Sequence, residues 1–248
     1  MFQKLKKLLL PTFFVAMSCA PKQYVVSTYH SSYTRISDSI QGNAQMAAFL
    51  QGYKSGLDSV MNEVIGYTEV PLTKAQPEST MGNFAADAQL EAGKRLDNLT
   101  SISVVNYGGL RIPFISKGNI TKGKIYELMP FDNMLTIIDV PGKVLQQFCD
   151  HMAARKGWPV SGIQYVIKGG KAEQVMVNGS PIKENAVYKL VTSDYIANGG
   201  DECEFLVPLK KHYSTIFLRD ALMEKIIKDS DSGMGLQAKL ENRVSYGE

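Results

Sequence analysis

Past residue 40 the apolar positions fall first at helical and then at strand spacing. From Ala44 to Val64, the side chains of Met46, Phe49, Leu50, Tyr53, Leu57, Val60, Met61 and Val64 recur every three or four residues. That spacing predicts an amphipathic helix with a solvated polar stripe. A break at Gly66-Tyr67-Thr68 follows. A second helix is predicted from Ser79 to Leu96, with Ser79 as N-cap and Met81, Phe84, Ala85, Ala88 and Leu96 on one face. The short apolar run Ile102-Ser103-Val104-Val105 reads as a buried strand leading into Asn106-Tyr107-Gly108-Gly109-Leu110-Arg111. Next come a short helix from Lys122 to Leu128, the turn Met129-Pro130-Phe131-Asp132-Asn133, and a strand from Met134 to Val140. A helix over Gly142 to Arg155 turns Val144, Leu145, Phe148 and Met152 inward. Strands are predicted at Gln164–Ile167 and Gln174–Val177, the second ending in the reverse-turn dipeptide Asn178-Gly179. The strand Val187–Thr192 opens into the loop Ser193–Asp201, and a helix over Thr215–Lys228 and a strand near Arg243–Tyr246 complete the order. Interleaved helices and strands of this kind predict a layered α+β domain built on a mixed β-sheet flanked by helices.

The amino terminus follows a different plan. Lys4, Lys6 and Lys7 precede the apolar run Leu8–Ala16 and the small residues Met17-Ser18-Cys19-Ala20, the layout of a secretory signal. The apolar run is shorter than the roughly 20 residues that a spanning helix needs. A cysteine just past its end resembles a bacterial lipoprotein signal, with Cys19 as the lipidated residue; an ordinary cleaved signal is the other reading. The expected organisation is a signal over residues 1–18, a tether over 19–41, and one domain over 42–248, exported and held at a membrane, the outer membrane by resemblance to Gram-negative lipoproteins. Cys149 and Cys203 are then candidates for one disulfide or for two buried apolar residues, and neither lies in a C-x-x-C motif.

Charge narrows the class of partner. The chain has 248 residues with 27 Lys+Arg against 24 Asp+Glu, and without the three signal lysines the two signs balance. A neutral domain without a basic run lacks the footprint of a nucleic-acid binder. The strand that ends in Asn106-Tyr107-Gly108-Gly109-Leu110-Arg111 points elsewhere, because paired glycines allow backbone amides to approach an anion closely. The same pattern also serves as a plain turn.

Four motifs in one order change that balance: Met81-Gly82-Asn83-Phe84 with Asp87, Asn106–Arg111, Pro130-Phe131-Asp132-Asn133, and Asp194-Tyr195-Ile196-Ala197-Asn198-Gly199-Gly200-Asp201. Together they resemble the C-terminal, substrate-binding domain of the 5′-nucleotidase family, which includes periplasmic UDP-sugar hydrolases and ecto-5′-nucleotidases. The resemblance implies a nucleotide or nucleoside ligand whose base lies between Phe131 and Tyr195, the latter replacing the family's usual Phe. It implies that Asp201 accepts hydrogen bonds from the ribose hydroxyls, that Asn106 and Arg111 face the phosphate, and that Asn133 reaches the base edge. Where relatives carry a second phosphate-facing Arg this chain has Ala75, with Lys74 beside it as a point charge without the bidentate fork.

Full-length members cut the phosphoester with a separate N-terminal metallophosphatase domain that holds two metal ions. Such a centre needs clustered ligands that keep the ions about 3.5–4 Å apart. Only His30, His151 and His212 are present, none in a D-x-H or G-N-H motif, and each reads as a surface or helix-end histidine. The expectation is therefore a recognition domain with no cofactor of its own, working with a separate metallophosphatase chain that carries the divalent metals. The competing expectations are a binding lipoprotein with no hydrolase and an autonomous phosphatase, the last requiring a metal site that the sequence does not offer.

Overall fold

The computed structural model describes residues 28–37 and 40–247. The signal segment and Cys19 lie outside them, as does part of the expected tether. Residues 28–37 have no regular secondary structure and are exposed. Two units are distinguished, one ending at Ala48 and one running from Phe49. Helix α1, Ala44–Met61, begins in the first, and none of its residues is buried. The helix stops before Val64: after Asn62 and Glu63 the β-branched pair Val64-Ile65 opens strand β1, Val64–Thr68, where the sequence pattern indicated a helix end and a break.

Within the second unit the main sheet has five strands in the order β12-β6-β11-β3-β7, formed by Lys211–Phe217, Met134–Pro141, Val187–Ser193, Thr100–Val104 and Val160–Ser161. Only β11 and β3 run parallel; the other neighbours are antiparallel, so the sheet is mixed as expected. A second sheet of four strands combines β8 (Ile163–Lys168), β9 (Lys171–Val177), β10 (Ser180–Pro181) and the terminal β13 (Val244–Tyr246). Asn178 and Gly179 link β9 to β10 with positive φ values of 47° and 77°, the backbone that an Asn-Gly hairpin turn requires. Two short ladders, β1 with β5 (Gly118–Thr121) and β2 (Leu72–Thr73) with β4 (Phe114–Ile115), were not legible from periodicity.

Four of the six residues Leu135–Val140 are apolar, on both faces of β6, because the strand is covered on both faces. On one face Leu135, Ile137 and Val191 meet helix α2, Thr80–Leu96, through Met81, Phe84 and Ala88, and helix α6, Leu218–Asp231, through Leu218 and Leu222. On the other, Ile138, Val140, Ile102 and Leu190 meet helix α4, Gly142–Ala154, through Leu145, Phe148 and Met152, and the second sheet through Ile163 and Tyr165. Ser79 caps α2 as expected, its hydroxyl accepting from the Gly82 amide at 3.0 Å. The short helices α3 and α5 occupy Lys122–Leu128 and Asp194–Ala197. The late helix starts at Leu218 and not at Thr215, since Thr215-Ile216-Phe217 is strand-forming and ends β12; this edge strand is half exposed and polar, so it carries no alternation. Cys149 and Cys203 are both free and buried, which is the apolar reading of the two thiols.

Candidate functional site

Three of the site segments leave the main sheet at one end. Strands β3 and β11 run parallel and finish there, and β6, antiparallel to β11 with Leu135 opposite Ser193, begins there. Loops at the carboxyl ends of neighbouring parallel strands are free to diverge, and the space between them is where open sheets bind ligands. Here β3 continues into Asn106–Arg111, β11 into Asp194-Tyr195 at the start of α5, and Phe131–Asn133 leads into β6. The carbonyls exposed by the divergence are satisfied from side chains: Gln89 Nε2 donates to the Val104 and Val191 carbonyls at 2.9 and 3.0 Å, and Thr192 Oγ1 donates to Val104 at 2.9 Å. Asp194 Oδ1 accepts from the amides of Met134 and Tyr195, which ties two of the loops together.

The loops enclose a cavity of about 280 Å³ lined by Asn106, Gly108, Gly109, Arg111, Phe131, Asn133, Tyr195 and Asp201. All six site side chains read from the sequence, Cys19 aside, are in that lining. Phe131 and Tyr195 remain 38% and 46% exposed. The guanidinium carbon of Arg111 lies 5.6 Å from the Phe131 ring centroid, and one of its N–H groups donates to the Gly108 carbonyl at 3.3 Å. No carboxylate pairs with Arg111 among the described residues and the residue is exposed, so most of its five donors are available to a ligand.

Asp201 is held from several sides. Its Oδ1 accepts from the Tyr195 hydroxyl and its Oδ2 from Asn106 Nδ2, each at 2.8 Å, while the Asp201 amide donates back to the Tyr195 oxygen at 3.2 Å. The hydrogen bond to Asp201 raises the Tyr195 pKa and keeps the phenol protonated. An ionised carboxylate offers about four acceptor positions, so two remain for other hydroxyls. Lys74 is close but not in the lining: its ammonium donates to the Leu110 carbonyl at 2.7 Å and stands 4.1 Å from the Tyr107 ring centroid. Burial and the nearby Arg111 charge lower its pKa.

Some contributors were invisible in the sequence. Buried Arg219, on α6, donates to the Phe131 carbonyl at 3.2 Å and to Asp132 Oδ1 at 2.8 Å, and lies 4.2 Å from the Tyr126 ring centroid, so it braces the Phe131 loop from behind. Gly200 stands against the Tyr195 ring. His151 lies in the last turn of α4, the helix-end position expected for it, but is half-buried and bonded to the Asp201 carbonyl. Conversely, Asp87 is away from the cavity, forming a two-pronged pair with Arg243, and Asn83 bonds Glu78 and the Lys239 carbonyl. Among the described residues no group of three or more His, Cys, Asp or Glu side chains converges as a bound metal would require. The described residues therefore do not fit the two-metal centre that the family resemblance assigns to the metallophosphatase domain.

Residues 64–208 match the family model for the 5′-nucleotidase, C-terminal domain. The chain belongs to that family. The 5′-nucleotidase C-terminal domain is similar over 187 residues, with 31% identity, to the trifunctional nucleotide phosphoesterase protein YfkN of Bacillus subtilis (strain 168), covering 67% of this chain and 13% of that protein. It is 28% identical over 211 residues to a 5′-nucleotidase of Diplobatis ommata, covering 73% and 37%. Among solved structures, the 5′-nucleotidase precursor from Thermus thermophilus superposes with a TM-score of 0.72 at 26% identity, over 81% of this chain and 42% of that one. The chain thus spans less than half the length of each of these relatives.

Proposed function

We propose that this 5′-nucleotidase C-terminal domain recognises nucleotides and nucleosides for nucleotide hydrolysis, while a metallophosphatase domain on a separate chain cuts the phosphoester with its own divalent metals. The base stacks between Phe131 and Tyr195, with Asn133 at its edge. The ribose hydroxyls donate to the free acceptor positions of Asp201. The phosphate lies toward Arg111 and Asn106, with Lys74 adding charge from behind Arg111. One observation carries the reading: side chains from three separate stretches of sequence, two aromatic, one acidic, one cationic and two amide, converge on a single cavity. Stacking on an aromatic is worth about 1–3 kcal/mol per base, and a charge-assisted hydrogen bond about 1.5–3 kcal/mol, so the set supplies affinity at both ends of a nucleotide. Holding the substrate in place contributes to catalysis through orientation alone, which makes a recognition subunit physically reasonable. In this reading the domain is exported and held at the membrane through acyl chains on Cys19.

Calorimetric titration of adenosine and AMP tests the site. Phe131→Ala should weaken both ligands alike, by about 1–3 kcal/mol. Arg111→Ala should weaken only AMP, by about 1.5–3 kcal/mol, because adenosine presents no phosphate oxygens. Equal loss of both ligands in Arg111→Ala would make that residue a loop brace and not a phosphate reader. Mixing the domain with a metallophosphatase-domain protein should raise AMP turnover above that of either alone, and no gain with any such protein would favour a binding lipoprotein that works without a hydrolase.

A further inference from the structure

We propose that His151 is a positioning residue for Asp201: its neutral imidazole holds the backbone that presents the carboxylate to a ribose diol, and protonation releases it. The proposal rests on Asp201 as the ribose acceptor.

The segment it holds is strained. Asp201 and Glu202 are consecutive non-glycine residues with φ of 51° and 62°, in the left-handed region that L side chains rarely adopt. Such a pair persists only where its surroundings fix it. On the cavity side the Tyr195 hydroxyl and Asn106 hold Asp201. On the opposite side helix α4 places His151 Nε2 3.0 Å from the Asp201 carbonyl oxygen and 3.5 Å from Cys203 Sγ, while Arg155, one turn later, pairs with Glu202.

The partners assign the tautomer. His151 Nδ1 lies 3.2 Å from Arg155 Nη1, and a guanidinium only donates, so Nδ1 must be the bare acceptor. The proton is then on Nε2, facing a carbonyl that only accepts. The rings of Trp158 and Phe205, with centroids 5.6 and 5.5 Å away, hold the imidazole plane.

Protonation leaves Nε2–H donating but sets a second N–H, on Nδ1, against the Arg155 guanidinium; a hydrogen bond is replaced by facing positive charges, and their repulsion drives the ring and Arg155 out of place. Arg155 also anchors Glu202, so displacing it loosens the strained pair at a second point. The charged and titratable groups around His151 are Arg155 on its own helix, Asp201 and Glu202 on the loop, and the Cys203 thiol. Burial first, then Arg155, lowers the His151 pKa, against smaller opposing contributions from Asp201 and Glu202. The Cys203 thiol, pushed up to about 12 mainly by burial, stays uncharged.

The experiment compares adenosine with 2′,3′-dideoxyadenosine, which lacks the diol, by calorimetry at about pH 7.5 and about pH 5, a window that spans histidine titration and stays above the ordinary carboxylate range. Wild type should prefer adenosine about tenfold at the higher pH and lose most of that preference at the lower. His151→Ala should lose the preference at both pH values while binding the dideoxy analogue within about twofold of wild type. His151→Gln, whose amide can donate near the Nε2 position but does not titrate, should keep it at both. Retention of the full preference and its acid loss in His151→Ala, or an unchanged acid loss in His151→Gln, overturns the proposal; the wild-type profile and His151→Gln decide it if the alanine variant does not fold. The protection of the Asp201–Cys203 amides against exchange, corrected for the intrinsic slowing of exchange at acid pH, should fall from about pH 7.5 to about pH 5 in ligand-free wild type but not in His151→Gln. An unaltered protection factor overturns the positioning role by itself, whereas wild type that binds neither nucleoside overturns the site reading.

Discussion

Gly200→Ala places one methyl group against the residue that forms half of the proposed base sandwich. A Cβ at that position would lie 2.5–2.6 Å from Cζ, Cε1 and Cε2 of Tyr195. Carbon atoms in favourable contact sit about 3.5–4.0 Å apart, so the ring must retreat by roughly 1 Å. It is not free to do so, because its hydroxyl is fixed between the carboxylate and the amide of Asp201. The shift therefore displaces the stacking face, breaks a hydrogen bond worth about 1 kcal/mol net, or both. With part of the roughly 1–3 kcal/mol stacking contribution also lost, ligand affinity should fall by about 1–2 kcal/mol, roughly 5- to 30-fold. Nucleoside and nucleotide should weaken equally, since the Arg111 end is untouched. Calorimetry on protein shown by thermal melting to be folded measures this. Wild-type affinity for both ligands in Gly200→Ala would refute the claim that the position of the Tyr195 ring contributes to binding.

Two further predictions separate structure from function. Asp87→Ala leaves the buried Arg243 guanidinium short of its two-pronged partner and should cost about 3 kcal/mol, a fall in Tm of roughly 6–12 °C, with ligand affinity unchanged; a loss of affinity in the folded variant would place Asp87 in the site. Cys19→Ser should move the protein from the membrane to the soluble fraction on cell fractionation, because acyl chains supply the proposed attachment; unchanged membrane association would assign the anchor elsewhere.

The long elements were legible because their residues repeat a strong local signal. α2 has a capping serine and a regular apolar face, and β6 is rich enough in Leu, Ile and Val to mark a strand covered on both sides. The short ladders of β1, β2, β4 and β5 carry too few residues to establish a period. β12 misled because an exposed edge strand need not alternate, and its last residues run directly into a helix. The six cavity residues were readable through motif order, which fixes loops that periodicity does not. Their supports were not: Arg219 is 88 residues from Phe131 and His151 is 50 from Asp201, so nothing local links them. Asp87 shows the converse, since a residue inside a family motif can serve the packing beneath the site and not the site itself.

A crystal structure of the domain with AMP decides whether the cavity is a nucleotide site. It should show the base between the rings of Phe131 and Tyr195, the ribose hydroxyls on the Asp201 carboxylate, and the phosphate toward Arg111. A base bound outside the cavity, or no bound nucleotide at saturating concentration with the cavity open to solvent, would contradict that reading.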